Sequence, residues 1–500
     1  MKSSDNRSAA DVAVISLLSR GLTLLGKTMY MAMFGATHPL LNAFTFALNL
    51  PQILFTMVGT AINSVMIPVY SSLLAEERED EAKKFIDNII TISMALISVL
   101  VVLGMFAAPF ITDLVAVPYA SDGHSEFLTF ALRFLMPAMI FFGFGAIFQG
   151  LLQANGVFRL PALITVPGGV ILIVYLVFFG EQFGVEGLLF ATALGFLTQP
   201  LIMLYAMRKI GYRYSFAFDL KNPHIRKAAL LNIPVFISVS SYQLNFLFSN
   251  GMAVRFGAAA IVSYSQMLVQ VFVLTIVYAV ISVYFPKLSA LYAKADTKGY
   301  LDSFRHAVLY ITFTVLPVTG GFFLLRYDIM AFLLNWQDDS LVYADILLAG
   351  NLLGLYAIGI IAISFQEMAN RAFYSFKDPK KPALFSVIMM IVNICLILAL
   401  VPVMGVYSIP IAFAAAAIVG GGGLMFLLER KIKFINRKLV IEVCKNILAA
   451  SFMVLVVAIV QRFELVGLLN ILLSAFVGAV VYFVSAYFLG IEVLRELIKR

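Results

Sequence analysis

The octapeptide GLTLLGKT, residues 21–28, fits the phosphate-loop pattern G-x-x-x-x-G-K-[ST] at every position, and its reading decides the fold. A working loop of that kind follows a short strand and wraps phosphates with backbone N–H groups at a helix start. Here the intervening residues are Leu22, Thr23, Leu24 and Leu25, inside a run that is apolar from Val12 to Phe34. That run is long enough to cross a bilayer, which takes about 20 apolar residues. The match is a coincidence within a membrane helix, and no nucleotide is expected.

Working outward, the whole chain reads the same way. It has 500 residues, 62% hydrophobic and 12% charged, with a mean hydropathy of +0.97. A soluble domain carries roughly a quarter charged residues. Hydrophobic runs at 11–34, 41–72, 86–115, 127–155, 160–180, 183–207, 227–255, 258–287, 302–325, 341–373, 382–403, 405–429, 440–461 and 465–490 predict about fourteen transmembrane helices. The polar start MKSSDNRSAAD runs into the first span without a cleavage motif, which predicts a retained helix. The longest connection is about 20 residues, too short for a catalytic or nucleotide-binding domain. Cys395 and Cys444 lie in apolar runs, and the four histidines are scattered, so no disulfide framework or metal spacing emerges.

The net charge of +8 is topological. Even-numbered loops and the termini hold most of the 35 basic residues, whereas odd-numbered loops hold Arg255, Arg326 and Arg462 alone. The positive-inside rule then puts both termini in the cytoplasm, and no nucleic acid is needed to explain the surplus.

The chain also repeats itself at an offset of about 220 residues. Phe34-Gly35-Ala36 returns as Phe256-Gly257-Ala258. Pro68, Ser71, Leu73 and Ala75 return as Pro286, Ser289, Leu291 and Ala293. Pro161-Ala162-Leu163 returns as Pro382-Ala383-Leu384, and Gly184-Val185 as Gly405-Val406. A unit of six helices is even, so the copies run parallel, a transporter architecture with its substrate site between the halves. The expected organisation is all-α and membrane-embedded: lobes over 1–215 and 216–435, and an extra helix pair over 436–500.

Candidate site residues are the polar groups inside spans. Arg20 and Lys27 are seven apart, on nearly one helix face and about 10 Å apart along the axis. Arg20 sits roughly 13 Å into its span, beyond comfortable snorkelling, whereas Lys27 is nearer the outer side. Charges at such depth mark a cavity or substrate path; the bland alternative is a pair satisfied by carbonyls. In the second span Asn42, Thr45, Asn49, Gln52, Thr56 and Asn63 form a polar stripe at helical spacing. Interhelical hydrogen bonding explains any one of them; a hydrated cavity explains the row. Gln243, Asn245, Ser249 and Asn250, then Gln266 and Gln270, are the second-lobe counterparts. Glu367 and Asn370, with Gln366 beside them, lie near the inner end of the tenth span, where Arg371 is close enough to make a plain structural ion pair. Asn393 is the one polar residue suggestive of an ion site.

Four stretches resemble the MurJ (MviN) lipid II flippases of the MOP exporter superfamily: FGATHPLLNAFTFALNLPQIL (34–54), IPVYSSLLAEE (67–77), RAFYSFKDPKKPALFSV (371–387) and MGVYSIPIAFAAA (404–416). The third is the most specific. The resemblance covers nearly the whole chain, including the two extra C-terminal helices, for which it implies a groove for a lipid tail. It further implies that an undecaprenyl-pyrophosphate-linked sugar-peptide crosses from the inner to the outer leaflet of the bacterial plasma membrane by rocking of two lobes. On that reading the partners are the lipid-linked precursor, membrane lipids and possible cell-wall synthesis proteins, with no cofactor and no metal. Arg20 and Lys27 suit a pyrophosphate, and the polar stripes suit sugars. The sequence departs from the family pattern at several positions. Ser19-Arg20 matches the family's first arginine, but the second falls on Gly26, with Lys27 beside it at a usually acidic position. The acidic residue on the approach to the second helix falls on Asn42. The arginines of that helix fall on Phe55 and Thr56, that of the eighth on Met267, and a common lysine of the tenth on Glu367. A flippase for another polyprenyl-linked oligosaccharide, an ion-coupled multidrug exporter and a non-transporting binder of wall-synthesis proteins remain as alternatives.

Overall fold

Inside a bilayer a backbone must satisfy its own N–H and C=O groups, and for these apolar runs the α-helix is the solution. The computed structural model describes residues 2–115, 124–155, 157, 159–209, 211–219, 223–334, 340–463 and 467–498. Among them are eighteen α-helices and no strand. They are α1 (Lys2–Phe34), α2 (Pro39–Ala75), α3 (Glu79–Val115), α4 (His124–Leu135), α5 (Ala138–Ala154), α6 (Arg159–Leu163), α7 (Val166–Phe178), α8 (Gly180–Lys209) and α9 (Pro223–Val254), followed by α10 (Ala259–Ala293), α11 (Thr297–Leu324), α12 (Arg326–Leu334), α13 (Ser340–Ser375), α14 (Lys380–Met404), α15 (Ser408–Ile432), α16 (Arg437–Val460), α17 (Leu468–Phe488) and α18 (Glu492–Ile498).

Eleven stretches of the described residues are long and apolar enough to cross a membrane. One of them, Lys380–Ile432, contains both α14 and α15, and α1 and α9 occupy the two remaining predicted spans. The fourth predicted span is α4 and α5, broken at Met136-Pro137, and the fifth is α6 and α7. Prolines lie within α3, α8, α9, α10, α11 and α14. Membrane helices tolerate them because neighbouring groups re-satisfy the freed carbonyls. The outside is apolar: Phe106, Val403 and Phe488 are each more than 80% exposed, as a lipid-facing surface requires.

The repeat is written into the backbone. Gly35 and Gly257 both take positive φ (83° and 63°) ahead of a helix. Gly184 (φ 55°, ψ −148°) and Gly405 (φ 54°, ψ −132°) adopt the same turn, one a side chain would strain. Glu77 and Ala295, at the same offset, share a left-handed φ of 60° and 55°.

Two compact units follow, Met1–Ala260 and Ile261–Arg500. In the first, α2 is the hub and packs against α3, α4, α5 and α9; α1 leans on α6 and α7. The seventh span, α9, thus packs within the first unit. In the second, α13 packs on α11, α12 and α15, with α14 against α15. The extra pair α16–α17 sits on α11 and α12, with polar bonds to both. Asp328 accepts from Gln461 (3.0 Å) and Asn470 (2.9 Å), and Tyr482 donates to the Phe313 carbonyl (2.7 Å). Glu442, buried, accepts the Glu492 N–H (2.9 Å) and fixes α18.

Candidate functional site

The face of α1 that packs on its neighbours carries Ser19, Leu22 and Gly26. The Ser19 hydroxyl is hydrogen-bonded to that of Thr165, Leu22 meets Gly169, and Gly26 lies against Leu172. At 100° per residue, Arg20 and Lys27 stand about a third of a turn away from that face. Arg20 is exposed and Lys27 half-buried. Neither makes an ion pair or hydrogen bond among the described residues. Cations on a membrane helix are costly to leave without a partner.

The polar stripe of α2 divides in two. Asn42, fully buried, is wholly engaged. Its amide nitrogen donates to the carbonyls of His38 (3.0 Å) and Gly257 (2.8 Å), and its oxygen accepts from the Ala260 N–H (2.9 Å). Asn49 donates to Asn250 of α9 at 3.4 Å. These two residues fasten α2 to α9 and to the turn after it. Deeper along α2, the Thr56 hydroxyl bonds back to the Gln52 carbonyl (2.7 Å), and the half-buried Gln52 amide meets no partner among the described residues. The buried hydroxyls of Thr45 and Ser240 and the Asn245 side-chain oxygen are also unsatisfied. Such a row of buried, unmatched polar groups calls for water or a ligand. The side chain of Asn63 lies outside the described residues.

In the second unit Gln266 and Ser265 on α10 are buried with an unpartnered oxygen each, and Gln270, half-buried, has a partner. Glu367 is committed. It accepts from the Tyr278 hydroxyl (3.0 Å), pairs with Arg371 at 3.6 Å and receives the Asn370 amide at 3.5 Å. Arg371 lies over the rings of Tyr278 and Tyr374. The structural ion pair foreseen for Glu367 is therefore present, and its neutral cluster also uses two tyrosines that residue spacing alone does not single out. Asn370 Oδ1 and Arg371 Nε stay unsatisfied, as do both amide atoms of the fully buried Asn393.

Separately, an apolar cleft of about 570 Å³ lies between α7 and α8, lined by residues such as Val174, Phe183 and Phe190; no candidate site residue lines it.

These features define a polytopic transporter with membrane-embedded polar interiors and no catalytic constellation among the described residues. The comparisons with known proteins name the family. The family model "Lipid II flippase MurJ" matches residues 31–478, so the chain belongs to that family, which is one of transporters and not of enzymes. The probable lipid II flippase MurJ of Bdellovibrio bacteriovorus is 23% identical over 510 residues, covering 98% of this chain and 96% of its own. A solved lipid II flippase MurJ in an inward closed conformation superposes with a TM-score of 0.79 at 20% identity, covering 97% of this chain and 99% of that one. An inward-facing multidrug resistance MATE family transporter of the MOP superfamily reaches 0.67 at 16% identity over 85% of this chain. The extra pair α16–α17 lies in the last part of the chain, where the MurJ structure offers a counterpart for almost the full length.

Proposed function

We infer that the protein moves lipid II, the undecaprenyl-pyrophosphate-linked peptidoglycan precursor, from the inner to the outer leaflet of the bacterial plasma membrane, with both termini in the cytoplasm. The observation that carries this reading is family membership over 31–478 combined with the partnerless Arg20 and Lys27 on α1. A pyrophosphate is the chemical complement of that pair, because charge-assisted hydrogen bonds to a desolvated anion are the strong ones. Gln52, Thr56, Gln266 and Gln270 supply neutral donors and acceptors suited to sugar hydroxyls and amides. The two lobes work by alternating access, as parallel-repeat transporters do. Asn42 and Asn49 hold helices together, and Glu367 with Asn370 maintains a neutral cluster.

A second reading keeps the mechanism and changes the cargo to another polyprenyl-linked oligosaccharide. It is favoured by the positions where Gly26, Phe55, Thr56 and Met267 replace the arginines of the family pattern. Cell-wall synthesis proteins are natural partners for either cargo.

Rescue of a bacterium depleted of its own lipid II flippase tests both. Wild type restores growth, and Arg20→Ala/Lys27→Ala at equal membrane abundance lowers flux at least about tenfold, as expected from losing one or two charge-assisted bonds. Rescue by both proteins would discard the pair as the anion site. Failure of the wild type at matched abundance would favour the second cargo.

A further inference from the structure

Between α8 and α9, residues 211–219 form a strap stitched onto the first turns of α3. Lys83 Nζ lies 2.8 Å from both Asp87 Oδ2 and Ser215 Oγ. The Tyr212 hydroxyl donates to Asp87 Oδ1, and the hydroxyls of Tyr214 and Thr91 are 2.7 Å apart. Asn88 closes a two-bond ring with the backbone of Asp219: its amide nitrogen donates to the carbonyl and its oxygen accepts the N–H, both at 2.7 Å. Burial, and then the bond to Asp87, raise the Tyr212 phenol well above the ordinary range, so it stays protonated and donating at any physiological pH. Strap and helix are tied together by these hydrogen bonds.

What the strap shows to its surroundings is unusual for a water-facing loop. Phe216 is 80% exposed and Phe218 56%, with the Tyr214 ring half exposed between them and α3. Tyr205, on the last turns of α8, is 66% exposed. Arg208, Lys209 and Arg213 are exposed and pair with nothing among the described residues. The nearest buried carboxylate, Asp87, is already taken by Lys83 and Tyr212. Of the other acidic groups of this end, Asp219 closes the strap and is itself engaged, and Glu76, Glu77, Glu79, Asp80 and Glu81 cluster at and just before the start of α3, where Arg78 pairs with Glu76 and Glu81. The strap's own contacts, at Lys83 to Thr91, run from there into the predicted third span, which opens at residue 86. That span is about 45 Å long, some 15 Å more than a hydrocarbon core, so its first turns lie among lipid head groups. Aromatic rings and unpaired cations at that depth are the composition of an interfacial anchor.

We propose that the strap of residues 211–219, with the last turn of α8, docks on the anionic lipid head groups of the leaflet it faces, with Phe216 and Phe218 as apolar wedges and Arg208, Lys209 and Arg213 as the phosphate-facing cations. Charge complementarity selects the occupant: three cations without counter-ions among the described residues face a surface that supplies anions. The face is set by the even-numbered loop's basic excess, so in the cell it is the cytoplasmic one. The inference rests on no particular cargo. Its consequence is that α3 and the end of α8, bound to the strap, are referenced to the bilayer surface.

The test uses the full-length protein in nanodiscs, with Phe216→Trp in a Trp336→Phe background and, separately, Phe218→Trp in the same background. Phosphatidylcholine discs contain 30% of either brominated phosphatidylglycerol or brominated phosphatidylcholine. Both reporters are expected to show blue-shifted emission and stronger quenching by the brominated anionic lipid. Each of Arg208→Gln, Lys209→Gln and Arg213→Gln is expected to lower the anionic preference by up to about fivefold, the effect of one basic residue near an anionic surface. Equal quenching by the two lipids would overturn the electrostatic recognition. Water-like emission from both reporters, untouched by either lipid, would overturn the docking itself and leave the strap facing a soluble partner.

Discussion

Lys27 and Arg20 show how much and how little a single position reveals. Their spacing of seven places both on one face of α1 from sequence alone, and the structure finds both without partners. Asn42 was equally visible as a polar residue in a span, yet its use was not. Its partners are backbone groups of residues 257 and 260, more than 200 positions away, and no local pattern encodes such a bond. Glu367 falls between: the i,i+4 pair with Arg371 is readable, but Tyr278, on another helix, is not. His38 yields a prediction at this scale. Burial, and secondly the nearby His124, hold its imidazole below the ordinary value. The unfolded chain therefore binds more protons as pH falls through about 6.5 and below, and stability declines in that window. Thermal unfolding from pH 7.5 to 5 is expected to show a decline that His38→Gln reduces. An unchanged slope in the variant would remove His38 from the cause.

At the scale of helices, hydropathy located the spans because each needs about 20 apolar residues and little else does. Which helix packs on which was less legible. In lipid, association follows small residues and polar bonds, not hydrophobicity, so α9 joins α2 through Asn49–Asn250 and close packing. Gly421 shows the small-residue side of the rule. A Cβ there would run into the Ala362 backbone carbonyl of α13, whereas one at the neighbouring exposed Gly422 would meet nothing within 4 Å. Gly421→Ala is expected to cost about 1–3 kcal/mol by displacing α15 from α13. Gly422→Ala is expected to stay within about 1 kcal/mol of wild type. Melting in detergent compares the two, and equal losses would refute the contact's role. The extra pair makes the polar case. Asp328→Ala leaves the buried Asn470 amide without its acceptor, at about 1–3 kcal/mol, and leaves Gln461 with the Leu324 carbonyl alone. Faster proteolysis in the connection between α16 and α17 is the expected readout, with Asp328→Asn milder because it keeps one oxygen acceptor.

For the whole molecule, the repeat was legible because it rests on conformationally special residues. Gly184 and Gly405 share a turn that few residues other than glycine adopt, so the same residue type marks the same place in both copies. The boundaries of the compact units, at Ala260 and Ile261, were not marked by any linker composition. The central claim is that lipid II leaves the inner leaflet through this protein. The most direct measurement makes the chain the sole flippase of a bacterium and asks what fraction of lipid II is cleaved by an externally added, membrane-impermeant lipid II hydrolase. Wild-type protein is expected to keep most lipid II accessible from outside, and Arg20→Ala/Lys27→Ala to leave it inside. Lipid II that stays protected while wild-type protein is abundant in the membrane would contradict the assignment.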